Sequence, residues 1–167
     1  MKNNIIISIC CILLVASCSV KYSFSGASIA PEIKTFSVAY IENQAPTKQA
    51  TLSDVFTEGL KEKIRTNTRL SMVNNYGDIL FEGAIVDYSV NYLGVTASQL
   101  AASNRLTITV KITCTNTKEP KKSFEKQFSR YYDFDAMQNI STIETAAIKQ
   151  ISDQIIEDIF LEAFANW

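Results

Sequence analysis

Apolar positions along this chain recur with two different spacings, and the changes of spacing divide it into elements. Phe36, Val38 and Tyr40 alternate with Thr35, Ser37 and Ala39, which predicts a strand over residues 34–41. Residues 43–49 hold Pro46 among polar side chains and read as a loop. The spacing then becomes helical. Leu52, Val55, Phe56, Leu60 and Ile64 fall on one face, behind a cap at Thr51 or Ser53 with an acid in the first turn. Gly59 weakens that helix by about 1 kcal/mol relative to alanine, and it leaves room for close packing. Three further runs read as strands. Residues 79–93 are rich in Val, Ile, Tyr and Phe. Residues 105–115 set Leu106, Ile108, Val110, Ile112 and Cys114 against threonines and Lys111, so one face is apolar and the other polar. Residues 123–134 put Phe124, Phe128, Tyr132 and Phe134 on one side, and the turn-rich stretch 116–122 before them reads as a hairpin connection.

Helical spacing closes the chain. Ser141 and Glu144 stand as a capping box, and Ile143, Ala147, Ile148, Ile151, Ile155, Ile159 and Phe160 continue it as an apolar stripe. Two amphipathic helices need an apolar surface, and a sheet apolar on one side supplies it. The pattern predicts an α+β fold: a two-layer sandwich with two helices on one face of a four-stranded, mostly antiparallel sheet, in the order β-α-β-β-β-α.

The first residues belong to another category. Lys2 precedes a nearly unbroken apolar run over residues 5–16, shorter than the roughly 20 residues a membrane-spanning helix needs. It has the length of a signal-peptide core, and it ends in Leu14-Val15-Ala16-Ser17-Cys18, which resembles the lipobox of bacterial lipoproteins. The resemblance implies cleavage before Cys18 and lipidation of its thiol. Two or more acyl chains give a lasting anchor, at about 0.8 kcal/mol per buried methylene. Ser19 is not the aspartate associated with inner-membrane retention, and residues 19–23 hold no acidic cluster, so the expected place is the outer membrane, periplasmic side. The expected division is signal peptide 1–17, lipidated N-terminus and tether 18–33, and a single domain 34–167.

Charge and chemistry narrow the function by exclusion. Lys2 is the only base in the first 17 residues, which leaves 15 basic and 17 acidic side chains and a formal charge of −2. That balance gives no basic face for nucleic acid. There is no histidine, so Ser-His and Cys-His dyads are excluded together with the commonest zinc ligand. The glycines form neither a phosphate loop nor a dinucleotide fingerprint. No cofactor or metal is expected, and no enzyme. Asp133 and Asp135, at the end of a strand, read as turn-solvating residues rather than an acid/base pair. Cys10 and Cys11 lie in the signal segment and Cys18 is the lipid site, so Cys114 stands alone, and its place on an apolar strand face predicts burial. Tyr131 and Tyr132 fit either an interface patch or the sheet core, with core the stronger reading. Residues 94–104 are uncharged and carry Val95, Leu100, Ala101 and Ala102, which suits either insertion into a partner or a plain connection.

Several stretches together resemble one family. Tyr22-Ser23-Phe24-Ser25-Gly26-Ala27-Ser28-Ile29, Phe56-Thr57-Glu58-Gly59-Leu60, Phe81-Glu82-Gly83 and Asn104-Arg105-Leu106-Thr107-Ile108-Thr109-Val110-Lys111 are similar in order and spacing to the LptE family. So are Pro120-Lys121-Lys122-Ser123-Phe124-Glu125, Phe128-Ser129, Asp158-Ile159-Phe160 and the final Asn166-Trp167. The resemblance implies a two-helix, four-stranded domain that sits in the lumen of the outer-membrane barrel LptD. It would assist that barrel's assembly and plugging, and so the delivery of lipopolysaccharide to the outer leaflet. It also implies lipopolysaccharide contact through bases near the second hairpin. Here residues 94–104 have none, and Arg105 is the first base after them. Arg105, Lys111, Lys121 and Lys122 are the candidate lipopolysaccharide or barrel contacts, without a residue-by-residue match to the family. The alternative is a periplasm-facing scaffold or pilotin-like lipoprotein serving another outer-membrane assembly.

Overall fold

The computed structural model describes residues 29–94 and 102–165. The expected signal segment, Cys18, most of the expected tether, most of the 94–104 loop and the terminal Asn166-Trp167 lie outside the described residues. The elements are β1 (Thr35–Val38), β2 (Glu42–Asn43), α1 (Leu52–Asn67), β3 (Ser71–Met72), β4 (Ile79–Gly94), β5 (Ser103–Asn116), β6 (Phe124–Asp135) and α2 (Ile140–Phe164). A single 3-10 turn, Pro120–Lys122, joins β5 to β6.

The sheet runs β3-β1-β4-β5-β6, with β2 also paired to β4. β4, β5 and β6 are antiparallel to one another, while β1 and β2 run parallel to β4. The α+β sandwich is therefore present, on a mixed sheet with two more short strands than expected. The break between β1 and β2 has a visible cause. The alternation over residues 34–41 predicts one strand, but the Ile41 N–H donates to Thr57 Oγ1 on α1 at 3.0 Å, which takes it off the ladder. The chain rejoins β4 only at β2. Tyr40, expected among the apolar row, is exposed instead, and its hydroxyl donates to Asp54 at 2.9 Å.

Both helices lie on the apolar side of the sheet. Leu52, Phe56, Leu60 and Ile64 are fully buried along α1, as are Ala147, Ile151, Ile155 and Ile159 along α2. Val55 stands at the edge of the first stripe and remains exposed. Phe164 closes the far end of the core, tilted against Phe81 at 6.2 Å between ring centroids. The two helices approach closely at Gly59, where a Cβ would stand 2.8 Å from Ile156 Cδ1. That is the close packing the sequence allowed for. Lys63 then bridges the pair, bonded to Glu157 and lying 5.0 Å from the Phe160 ring centroid.

The start of α1 falls at an expected place and that of α2 does not. α1 follows Thr51, whose hydroxyl bonds Gln49 Oε1 rather than a helical amide. α2 begins at Ile140, one residue before its supposed capping box. Asn139 caps it, accepting from the Ser141 N–H at 3.0 Å and the Ser141 hydroxyl at 2.9 Å. Glu144 turns away from the helix end and accepts from the Tyr88 hydroxyl at 2.5 Å. A sequence pattern for capping could not foresee that a strand residue would claim this carboxylate.

Candidate interaction surface

The sheet is covered on one side only, and the other side presents the surface most available to a partner. Strand alternation decides what stands there. In β5 the even-numbered residues from Leu106 to Cys114 face the helices and are buried, so Arg105, Thr107, Thr109, Lys111 and Thr113 face outward. The ladder with β6 sets Tyr131 opposite Thr107, Asp133 opposite Arg105 and Ser129 opposite Thr109. The aromatic pair is thereby split. Tyr131 is 52% exposed on the open face, whereas Tyr132 is half-buried on the helix side beside the buried Phe134.

Charges on this face are largely matched within the protein. Arg105 donates to both carboxylate oxygens of Asp133, at 2.7 and 2.8 Å. Its guanidinium also lies 3.6 Å from the Tyr131 ring centroid, close enough for a cation–π contact. The bond from Arg105 holds the Asp133 carboxyl below its ordinary range. Lys111 pairs with Glu125 at 2.6 Å, and this bond likewise lowers the Glu125 pKa. Both pairs are exposed and screened by solvent, so they add little stability and their main consequence is to neutralise the face.

The four candidate cations occupy two places. Arg105 and Lys111 share the open face of β5, about 20 Å apart at the strand rise. Lys121 and Lys122 sit on the 3-10 turn where β5 hands over to β6. Lys122 pairs with Glu119 at 2.9 Å. Lys121 is exposed and makes no ion pair among the described residues, so it is the least encumbered cation of the set. The structure does not gather the four into one site. The Arg105–Asp133 pairing was not drawn from the sequence, although counting back through the 116–122 hairpin would have set the two residues opposite each other.

The remaining candidates behave as ordinary structure. Asp135 accepts from the Met137 N–H at 2.8 Å and closes the turn after β6. Cys114 is buried, and loss of solvation pushes its thiol up to about 12. Among the described residues no cluster of His, Cys, Asp or Glu could hold a metal ion, and no helix is long and apolar enough to cross a membrane.

An open polar sheet backed by two helices defines a small α+β domain built to present a face. Residues 33–162 match the LptE family, described as lipopolysaccharide-assembly, and the chain belongs to that family. No curated protein matches it. Among solved structures it is similar to a minor lipoprotein from Acinetobacter baumannii, at 13% identity and a TM-score of 0.52, covering 78% of this chain and 94% of that one. It is also similar to a hypothetical protein from Chlamydia trachomatis, at 6% identity and a TM-score of 0.53, covering 79% and 98%. At these identities the likeness is one of fold.

Proposed function

We propose that this protein is an outer-membrane lipoprotein, anchored through Cys18 with its domain in the periplasm, that assists assembly and plugging of the LptD barrel. Through that barrel it serves the delivery of lipopolysaccharide to the outer leaflet. Family membership over residues 33–162 carries the reading. The proposed organisation is a signal peptide over residues 1–17, a lipidated tether over 18–33 and one non-catalytic domain over 34–167.

Physical chemistry supports a plug. A rigid domain tethered beside its barrel gains effective concentration from the anchor. Its open sheet face is polar and internally paired, which suits a wet lumen better than a lipid one. Direct lipopolysaccharide contact would fall to Arg105, Lys111, Lys121 and Lys122. Lys121 can meet a phosphate without first leaving an ion-pair partner among the described residues.

The test is a pull-down of C-terminally tagged protein from detergent-solubilised outer membranes, with mass spectrometry of what comes with it. A large β-barrel in near-equal amount supports the plug. Recovery with an unrelated outer-membrane assembly would instead favour the pilotin-like role and sink the LptD partnership.

A further inference from the structure

β6 ends the sheet on its side. The opposite edge is only the two-residue β3, but Phe124–Asp135 pairs with β5 along its length without a bulge and contains no proline. The phase of the ladder determines which backbone groups are left over. Just beyond the strand, the Ala136 N–H donates to Ala102 O at 3.1 Å, and antiparallel bonds recur at every second residue. Even-numbered residues of β6 therefore bond β5. The N–H and C=O groups of Glu125, Gln127, Ser129, Tyr131 and Asp133 point away from the sheet, and no backbone group of the described residues takes them up.

A groove of about 450 Å³ runs along this edge, between the strand at Lys126 to Arg130 and α2 at Asp158, Leu161 and Glu162. Leu161 keeps 43% of its surface exposed there. Charges turned toward the core commonly guard a strand edge against pairing, and Lys126 and Arg130 have that placement. Here each is tied to α2. Lys126 bonds Glu162 at 2.8 Å, and Arg130 bonds both carboxylate oxygens of Asp158 at 2.7 Å. The groove wall is left without net charge and with one apolar side chain to cover.

Charge also selects the occupant. Residues opposite each other in an antiparallel pair share a face, and like charges there repel. A second copy centred on Ser129 would set Glu125 against Asp133. Centred on Arg130, it would set that guanidinium against its own copy and Glu125 against Asp135. In these two registers, which pair the most residues, a second copy is therefore a poor partner. The outward row of β6 carries Glu125, Asp133 and Asp135 and no base. Glu125 and Asp133 can each accept from a second cation as well as the one they have.

We propose that the β6 edge is a strand-addition site. It takes an extended segment of a partner polypeptide, basic where it faces Glu125 and Asp133 and uncharged where it faces Leu161, bonded to the outward backbone groups of residues 125–133. This goes beyond the barrel reading and does not depend on it.

The test is amide hydrogen exchange by NMR on the isotope-labelled full chain in detergent micelles. The probe is a blocked peptide spanning the distance from Glu125 to Asp133, with lysine at each end and alternating valine and threonine between. In the chain alone, the Gln127, Ser129 and Tyr131 amides should exchange freely while their even-numbered neighbours are protected. Added peptide should shift and protect those three, and the same peptide with glutamate at its ends should bind several-fold more weakly. Gln127→Pro removes one outward N–H without touching the ladder to β5, and should abolish binding while even-numbered amides stay protected. If that variant fails to fold, Leu161→Lys charges the groove without altering the strand and should weaken binding several-fold. The proposal is overturned by unchanged spectra at millimolar peptide, or by equal binding to the folded Gln127→Pro variant. It is equally overturned by odd-numbered amides already protected in the chain alone, which would mean that the protein covers its own edge.

Discussion

Thr35 and Asp78 hold each other across the start of the parallel pair β1–β4. The Thr35 N–H and hydroxyl both donate to Asp78 Oδ2 at 3.0 Å, and the Asp78 N–H donates back to Thr35 Oγ1 at 3.0 Å. The Lys34 N–H adds a further bond to the same oxygen at 2.9 Å. A parallel strand of four residues with a two-residue neighbour has little ladder of its own, so this carboxylate acts as its clasp.

The clasp makes stability depend on acid. The backbone bond from Lys34, with those from Thr35, holds the Asp78 carboxyl down at about 2, against an ordinary 3.8. A depressed folded pKa contributes stability that is complete above the unfolded value and lost as pH falls through the folded one. The loss should fall between about pH 4 and pH 2 and amount to about 1–2 kcal/mol after allowance for solvent screening. Asp78→Asn should cost a similar amount at neutral pH and flatten that limb. Urea midpoints measured against pH check both; an unchanged acid limb in the variant would rule out the clasp.

Two glycines should respond differently to alanine. At Gly83 a Cβ would stand 2.1 Å from the Lys111 carbonyl oxygen and 2.9 Å from Ile112 Cδ1, so backbone must move. Overpacking of that kind costs about 1–3 kcal/mol, and more where backbone is the obstacle. At Gly59 the only close atom is the end of the Ile156 side chain, at 2.8 Å. A small rotation there is offset by the gain of about 1 kcal/mol in helix propensity. Gly83→Ala should lower the denaturation midpoint clearly, and Gly59→Ala should leave it within about 0.5 kcal/mol. Equal effects would contradict the argument.

How far the sequence alone reveals this molecule follows from which interactions are local. The stripes of α1 and α2 and the alternation of β4, β5 and β6 were legible because burial repeats along the chain itself. The two-residue β2 and β3 were not, since each exists only because a strand distant in sequence offers backbone groups to pair with. The apparent capping box at Ser141 misled for the same reason. Its glutamate had a partner 56 residues away in Tyr88. At the surface, Arg105 and Lys111 were visible as bases on a polar strand face. Their neutralisation by Asp133 and Glu125 depends on register across a hairpin, which composition does not carry.

Cys114 should be chemically silent in the folded protein. Burial pushes its thiol up to about 12 from an ordinary 9, and the thiolate is the reactive form. A raised folded pKa means that its contribution to stability is intact below about pH 9 and is lost as pH climbs toward 12. Peptide mapping after alkylation at pH 8 should find Cys114 unmodified in native protein and fully modified in denaturant. Rapid native labelling would show that β5 opens locally, because this residue is buried on the side of the strand that faces the helices.

Freeing Arg105 should reveal whether the open sheet face can recognise anions. In the folded protein its guanidinium is committed to Asp133 and stacked on Tyr131, so a phosphate must compete with an existing bidentate partner. Asp133→Asn removes the competing charge, keeps the side-chain shape and leaves the cation on its aromatic support. With about a third of each side chain exposed, the pair is screened by solvent and adds little stability, so the variant should remain folded. If the face binds lipopolysaccharide through Arg105, Asp133→Asn should tighten binding several-fold in a salt-sensitive manner, and Arg105→Ala should reverse the gain. If Lys121 is the contact instead, Asp133→Asn should leave binding unchanged while Lys121→Ala weakens it. Titration of both variants with purified lipopolysaccharide at two salt concentrations separates these outcomes. The salt dependence matters because an exposed cation meeting phosphate is screened over about 10 Å at 0.1 M, whereas a contact made through apolar lipid chains is not.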